Sequence, residues 1–183
     1  MEALIASFTL VALGEIGDKT QLLAFALANR YKSHGRILAG IILATLINHG
    51  ISAGLGVWAG RSLPEDLLQW VLGLGFIALG VWMLIPDDDS AEGTNRFRGP
   101  FTASLVLFFL AEIGDKTQVA TVALGARFED AFLWVLLGTT AGMVAANLPA
   151  IWLGNRIQHP DLERWAHRLS AALFIGFGVW ALL

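Results

Sequence analysis

One heptapeptide, Glu-Ile-Gly-Asp-Lys-Thr-Gln, occurs twice in this sequence, at residues 15–21 and 112–118. Each copy places two acids and a lysine inside a long apolar run. Ionisable groups at membrane depth are costly, at about 3 kcal/mol or more each, and they usually mark a pathway for ions or protons. The fold must therefore enclose both copies inside protein, because neither can face lipid.

The composition indicates a membrane protein. Of the 183 residues, 56% are hydrophobic and 15% are charged, against about 25% charged residues in soluble domains. Cysteine is absent, which excludes disulfides, thiolate metal sites and a catalytic thiol. The sequence has no basic patch that would indicate a nucleic-acid partner. We expect the lipid bilayer to be the main partner of this protein.

Six segments are apolar and long enough to cross a bilayer, which needs about 20 residues. They are residues 3–28, 37–60, 67–85, 101–126, 131–154 and 165–183. The seven tryptophans fall toward the ends of these segments, as an aromatic belt at the membrane surface predicts. We predict an all-α, polytopic membrane protein with six transmembrane helices.

The duplication extends beyond the heptapeptide. Residues 76–82 match residues 174–180, and Asn48 falls near Asn147 when the two halves are aligned. We divide the chain into a first three-helix repeat (residues 1–86), a cytoplasmic linker (87–99) and a second three-helix repeat (100–183). An odd number of helices makes the repeats enter the membrane from opposite sides, a plan typical of secondary transporters with a site at the midplane.

The basic residues predict the orientation. Eight Lys or Arg side chains lie in or beside the first, third and fifth loops, and two lie in the second and fourth. The basic side is expected to be cytoplasmic, with both termini outside. The N-terminus lacks the basic region of a signal peptide and no transit peptide is visible. We therefore expect a multi-pass protein of the bacterial inner membrane.

The heptapeptide carries the chemistry. On a continuous helix Glu15 and Asp18 share a face, and Lys19 lies close enough to pair with Glu15. The glycines, Gly17 and Gly114, favour local unwinding that exposes backbone carbonyls, which a membrane protein tolerates only beside a cavity. Two copies in opposite orientations would surround one centre.

That centre is a candidate metal site. Its predicted ligands are the four motif acids: Glu15, Asp18, Glu112 and Asp115. With the two lysines the formal charge is −2, which a divalent cation neutralises. Oxygen ligands suit Mg²⁺, Ca²⁺ and Mn²⁺ rather than Zn²⁺ or Cu⁺. A carboxylate in a low-dielectric site takes up a proton unless a cation is present, so the same groups can alternate between metal and protons. The predicted auxiliary residues are Lys19, Thr20, Gln21, Lys116, Thr117, Gln118, Asn48 and Asn147.

Other interpretations remain open for several features. The charged motifs could be structural salt-bridge clusters that lock two helices. His49 fits a packed histidine better than a ligand, and the acidic run at residues 87–89 fits a solvated linker. The glycine pairs at 50/54, 56/60 and 138/142 are typical of close helix packing.

The two Glu-Ile-Gly-Asp-Lys-Thr stretches resemble the signature of the Glu-x-Gly-Asp-Lys-Thr membrane cation transporter family, which includes Golgi manganese and calcium transporters and a bacterial manganese exporter. The resemblance covers essentially the whole chain. It implies cation/proton antiport, with Glu15, Asp18, Glu112 and Asp115 as the metal site. The chain lacks the N-terminal extension and large central loop of the eukaryotic members, which favours manganese export over Golgi calcium supply.

The expected function is therefore that of a secondary active transporter exporting Mn²⁺, with Ca²⁺ as a second substrate. The main alternative is a passive divalent-cation channel, and a non-transporting assembly subunit is another. An intramembrane hydrolase would need a nucleophile–base pair that the sequence lacks, so we do not expect an enzyme. No cofactor is expected, since Mn²⁺ is substrate and protons are the coupling ion. The sequence does not decide between Mn²⁺ and Ca²⁺ or give the oligomeric state, so a homo-oligomer remains open.

Overall fold

The computed structural model describes residues 1–82, 84, 97, 99–153 and 160–182. Within these ranges the secondary structure is helical and contains no strand, which confirms the all-α prediction. The α-helices of this part are α1 Glu2–Gly14, α2 Lys19–Tyr31, α3 His34–Ser62, α4 Glu65–Trp82, α5 Pro100–Glu112, α6 Lys116–Arg127, α7 Phe132–Leu153 and α8 Pro160–Leu182. Apart from Phe97 and Gly99, the predicted linker at 87–99 lies outside the described residues, as does its acidic run.

Four of the predicted spans are each one helix. They correspond to α3, α4, α7 and α8, with boundaries shifted by a few residues. Helix α8 begins earlier than predicted, at Pro160, because proline is well tolerated in the first turn, where no helical N–H bond is lost. By length and composition, three helical stretches of the described chain could cross a membrane: His34–Ser62, Glu65–Trp82 and Glu129–Trp152. The protein is a helical membrane protein, and the count of six crossings stays a prediction.

The other two predicted spans, 3–28 and 101–126, are not continuous helices. Each is broken at the heptapeptide, into α1 and α2 and into α5 and α6. The glycines cause the breaks, because Gly17 has φ +81° and Gly114 has φ +76°, a backbone conformation that glycine adopts readily. In both copies the Asp N–H then donates to the Glu carbonyl three residues earlier, at 3.2 Å. The predicted unwinding is confirmed. The prediction that the acids of each copy share one face of a continuous helix is wrong.

Each broken helix continues in one direction along a long helix of the other repeat. Near the start of α3, Gly40 abuts Ser104 of α5, and near its end Gly60 abuts Ala126 of α6. Helices α5 and α6 are therefore successive parts of one path beside α3. In the same way α7 runs parallel to α1, with Gly138 against Leu4.

Helices α4 and α8 pack against each other in opposite directions. Gly73 abuts Leu182, whereas Gly80, further along α4, abuts Ala171 near the middle of α8. These helices are the last of their repeats, and an inverted repeat requires equivalent helices to run antiparallel.

The glycine pairs differ in their packing. The glycines of the 56/60 and 138/142 pairs lie so close to neighbouring helices that a Cβ would collide with backbone, which confirms the prediction for these two. The prediction is wrong for Gly50 and Gly54. A Cβ on Gly50 would be 4.0 Å from a Leu136 methyl, and one on Gly54 would meet no described atom within 4 Å. Both lie on a partly exposed side of α3.

The surface of α3 shows which side faces lipid. Its large apolar side chains at successive helical turns are 39–69% exposed: Leu43, Ile47, Ile51, Leu55 and Trp58. All seven tryptophans are also at least 39% exposed. In water, a contiguous apolar surface of this kind would need a protein partner to cover it. In a membrane, lipid covers it.

Candidate metal centre

The two helix breaks meet inside the protein. Glu15 belongs to the first break, and Glu112 and Asp115 belong to the second. Each of these three carboxylates places an oxygen within 4.8 Å of the other two, and all three side chains are buried. The fourth predicted ligand, Asp18, is also buried, at 3% exposure, but lies outside this group of three.

The local sequence dictates how each second half-helix starts. Asp18 and Asp115 are the N-cap residues of α2 and α6, with extended backbone. Three residues later, the side-chain oxygens of Gln21 and Gln118 accept from the backbone N–H of the motif glycines, at 2.9 and 2.7 Å. This acid-x-x-glutamine spacing resembles a capping box. The glutamines therefore stabilise the breaks instead of extending a stripe of acids along one helix.

Hydroxyl groups from both copies hold Glu15. Its Oε2 accepts a hydrogen bond from the Thr20 hydroxyl of its own copy, at 2.8 Å. Its Oε1 accepts from the Thr117 hydroxyl of the other copy. Both predicted auxiliary threonines thus lie at the site, where they orient one carboxylate.

Each lysine also contacts a residue of the other repeat. Lys19 Nζ lies 2.6 Å from Asp115 Oδ1, so its ion pair joins the copies and the predicted pairing with Glu15 is wrong. The reason is the break, which moves Glu15 off the helix that carries Lys19. Lys116 is 5% exposed, and its Nζ lies 5.9 Å from the centre of the Trp82 ring.

Glu112 has a different environment. It is completely buried, and within the described chain neither of its carboxylate oxygens has a hydrogen-bond partner. Burying an unpaired carboxylate is strongly unfavourable, so such a group needs a cation or a proton. Glu112 is thus the acid of the cluster with free coordination capacity in the described structure.

Two asparagines and a histidine of the long helices are buried. Asn48 Nδ2 donates to the Phe109 carbonyl at 3.0 Å, whereas Asn147 Nδ2 donates to Met143 of its own helix. His49 is fully buried without a hydrogen-bond partner among the described residues, and its assignment as a packed histidine stays a prediction.

Sequence reasoning missed two features of the centre. The first is Trp82, which covers Lys116. Its repetition as Trp180 was a usable signal. The second is the set of backbone carbonyls that the amides contact, Phe109 and Ala146, for which a sequence carries no signal.

The chain matches the family described as "Divalent cation/proton antiporter GDT1" over residues 3–91 and 100–183. A Vibrio cholerae serotype O1 protein named "Putative manganese exporter" is 52% identical over 175 residues, covering 96% of this chain and 88% of the relative. Two plant relatives, both named GDT1-like protein 3, are more distant. The one from Oryza sativa subsp. indica is 27% identical over 97% of this chain and 72% of its own length. The one from Arabidopsis thaliana is 26% identical over 97% and 69%.

No solved structure matches this chain. The family match nevertheless covers both helical repeats, and both copies of the heptapeptide lie within it. Together with the buried carboxylates at the meeting of two broken helices, this match makes the chain a member of the GDT1 family of divalent cation/proton antiporters.

Proposed function

We propose that this protein exports Mn²⁺ from the cytoplasm in exchange for protons, with Ca²⁺ as a second substrate. The four motif acids, Glu15, Asp18, Glu112 and Asp115, are the proposed cation ligands. The observation that carries the proposal is the clustering of three buried carboxylates from the two copies of the heptapeptide within 4.8 Å. The name "Putative manganese exporter" of the 52% identical relative supports the choice of metal.

The donor set fits a hard divalent cation. The groups at the breaks are carboxylates, threonine hydroxyls, glutamine amides and backbone carbonyls, and such oxygen donors suit Mn²⁺ and Ca²⁺. Glu112 has both oxygens available among the described residues. Asp115 becomes a stronger ligand when Lys19 releases it, so metal binding and rupture of this ion pair are expected to occur together.

The proposed cycle uses competition between metal and protons. Carboxylates must lose their protons to bind a metal, so apparent Mn²⁺ affinity is expected to weaken as pH falls. Movement of the two repeats against each other opens the cluster first to one side and then to the other. In the proposed orientation, the protein lies in the bacterial inner membrane with both termini outside the cytoplasm.

Sealed proteoliposomes with a pH-sensitive dye inside test the coupling. An imposed proton gradient should drive Mn²⁺ uphill, and Mn²⁺ flux should move protons the opposite way. The matched control is the Glu112→Gln protein in the same vesicles. If Mn²⁺ crosses without countermovement of protons, and a pH gradient cannot drive it uphill, the protein is a passive channel.

A further inference from the structure

Asn48, on the continuous helix α3, binds the end of a broken helix. Helix α5 ends at Glu112, and the last four carbonyls of a helix lack full intrahelical pairing. One of these carbonyls, that of Phe109, accepts the hydrogen bond from Asn48 Nδ2 at 3.0 Å. Asn48 is 2% exposed and belongs to α3, which runs beside α5. Because Glu112 has no side-chain hydrogen bond in the described structure, its position depends on where α5 ends, and Asn48 stabilises that end.

The repeat places a second asparagine at the first break. Asn147 lies one residue beyond the equivalent of Asn48, because the glycine contacts make Gly138 the equivalent of Gly40. Ala12, three residues before Glu15, corresponds to Phe109. On α7, Gly142 abuts Ala12, and the residue before Asn147 accepts a hydrogen bond from the Gln21 amide of α2. Asn147 therefore lies beside the point at which α1 ends.

The two asparagines nevertheless do different things. Asn147 Nδ2 turns back to the Met143 carbonyl of its own helix, and its Oδ1 is buried without a hydrogen-bond partner in the described chain. At the end of α1, the Ile16 N–H donates to Leu13 and not to Ala12, so the Ala12 carbonyl has lost this helical donor. A helix-end carbonyl without its helical donor can accept from a side-chain amide, and Asn147 Nδ2 is a donor beside it, so this arrangement has an available alternative.

We propose that Asn48 and Asn147 are paired positioning residues that stabilise the two broken helices alternately. In the described conformation Asn48 binds the Phe109 carbonyl and positions Glu112. In the opposite-facing conformation Asn147 binds the Ala12 carbonyl and positions Glu15, while Asn48 turns back to its own helix. The pair thus forms a two-state element, with one asparagine bond between neighbouring helices in each conformation.

This inference rests on the alternating access of the proposed function, but its test needs no metal. The chain has no cysteine, so a single introduced thiol reports one position. Ala126 is 4% exposed and lines a cavity of about 710 Å³ between α3, α4, α6 and α8. The cavity lies between helices of both repeats, so movement of the repeats against each other changes its size, and we assign its open form to the described conformation, in which it is present. The labelling rate of Ala126→Cys by a small water-soluble maleimide then measures the population of that conformation.

Opposite effects are expected from the two asparagines. In the Ala126→Cys protein, Asn48→Leu removes the bond to the Phe109 carbonyl in the described conformation. In the opposite conformation it removes only a bond to a carbonyl of its own helix that already has a helical donor, so labelling should slow, by at most about fivefold, the ratio for one net hydrogen bond. Asn147→Leu removes the proposed bond to the Ala12 carbonyl in the opposite conformation and, in the described one, only the bond back to the Met143 carbonyl, which is within α7, so labelling should accelerate. The double variant should label at nearly the parent rate. Changes in the same direction, or equal rates in both single variants, would overturn the proposal.

Thermal unfolding in detergent provides the control for folding. If Asn48→Leu does not fold, Asn48→Ser replaces it, because a serine hydroxyl is too short to reach the Phe109 carbonyl. If labelling responds in opposite directions but no Mn²⁺/H⁺ exchange is found, the proposed function fails and the two-state pair stands. If exchange is found and both asparagine variants label alike, the paired role fails alone.

Discussion

At the scale of single residues, the three clustered carboxylates have three different environments. Glu15 accepts two hydroxyl hydrogen bonds, Asp115 pairs with Lys19, and Glu112 has no hydrogen-bond partner in the described residues. Neutralising each acid removes the same charge but leaves different neighbours unpaired. Stability and transport should therefore separate between the variants.

We expect Glu15→Gln, Asp18→Asn, Glu112→Gln and Asp115→Asn each to abolish Mn²⁺ transport while the protein still inserts, since ligation needs the charge. Glu112→Gln should unfold at the same temperature as the parent or higher, because it removes a buried, unpaired charge. Glu15→Gln should unfold at a lower temperature, since it weakens two hydroxyl bonds. Thermal unfolding and vesicle flux measure the two effects, with exposed Glu2→Gln as control. Normal flux in any variant would remove that acid from the site, and loss of folded protein in all four would favour a structural salt-bridge cluster.

A second prediction concerns the ion pair between Lys19 and Asp115, which joins the two copies. Lys19→Met leaves the Asp115 carboxylate buried without its cation and should lower the free energy of unfolding by roughly 1–3 kcal/mol. Adding Asp115→Asn should recover part of the loss, because the unpaired charge is then gone. A double-mutant cycle of chemical unfolding in detergent measures this coupling, and Lys32→Met, on an exposed turn, is the control. Strictly additive effects would show that the pair contributes nothing.

At the scale of elements, the breaks and not the helices define the site. A continuous helix would place Glu15 and Lys19 on the same helical face, within one repeat. The glycine turn instead directs the acids of one copy toward hydroxyl and ammonium groups of the other. The capping glutamines and the positive φ of the glycines act together on the same turn.

Replacing a motif glycine tests this turn. Gly17→Ala and Gly114→Ala should each lower the free energy of unfolding by about 1–2 kcal/mol, because an L-residue is strained at positive φ. Transport should fall further than stability, since the acids shift with the backbone. The control is Gly54→Ala, where no described atom lies within 4 Å and helix propensity improves. Motif variants as stable and active as this control would contradict the role of the break.

Much of this architecture could be predicted from the sequence. Apolar length located the long helices, and the duplicated heptapeptide located both breaks. The sequence could not show which copy supplies the partner of each charged group, because partners 96 and 102 residues apart are set by packing between repeats. The periodicity of a continuous helix gave the wrong partner for Lys19, since periodicity assumes that the helix does not stop. The same limit applies to Gly50 and Gly54, whose spacing fits close packing although no helix approaches them closely.

At the scale of the whole molecule, the main helix interfaces join one repeat to the other. Helix α1 packs on α7, α3 packs on α5 and α6, and α4 packs on α8. The acids lie where the two broken helices meet, so the movement between the repeats that we propose would be transmitted directly to the cluster. This arrangement suits a transporter better than a fixed pore, because opening the interface changes the distances between the ligands.

The parallel and antiparallel packing directions constrain the topology, and the basic residues predict its absolute sense. If the basic side is cytoplasmic, the turn between α2 and α3 faces the cytoplasm and the turn between α3 and α4 faces outside. In the cysteine-free protein, Ser33→Cys should therefore react with an impermeant maleimide only after the cytoplasm is opened. Ser62→Cys, at the exposed end of α3, should react in intact cells. The two positions mark opposite ends of the same helix, so each controls for the other. Labelling of Ser33→Cys in intact cells, with protection of Ser62→Cys, would reverse the orientation and turn the proposed export into import.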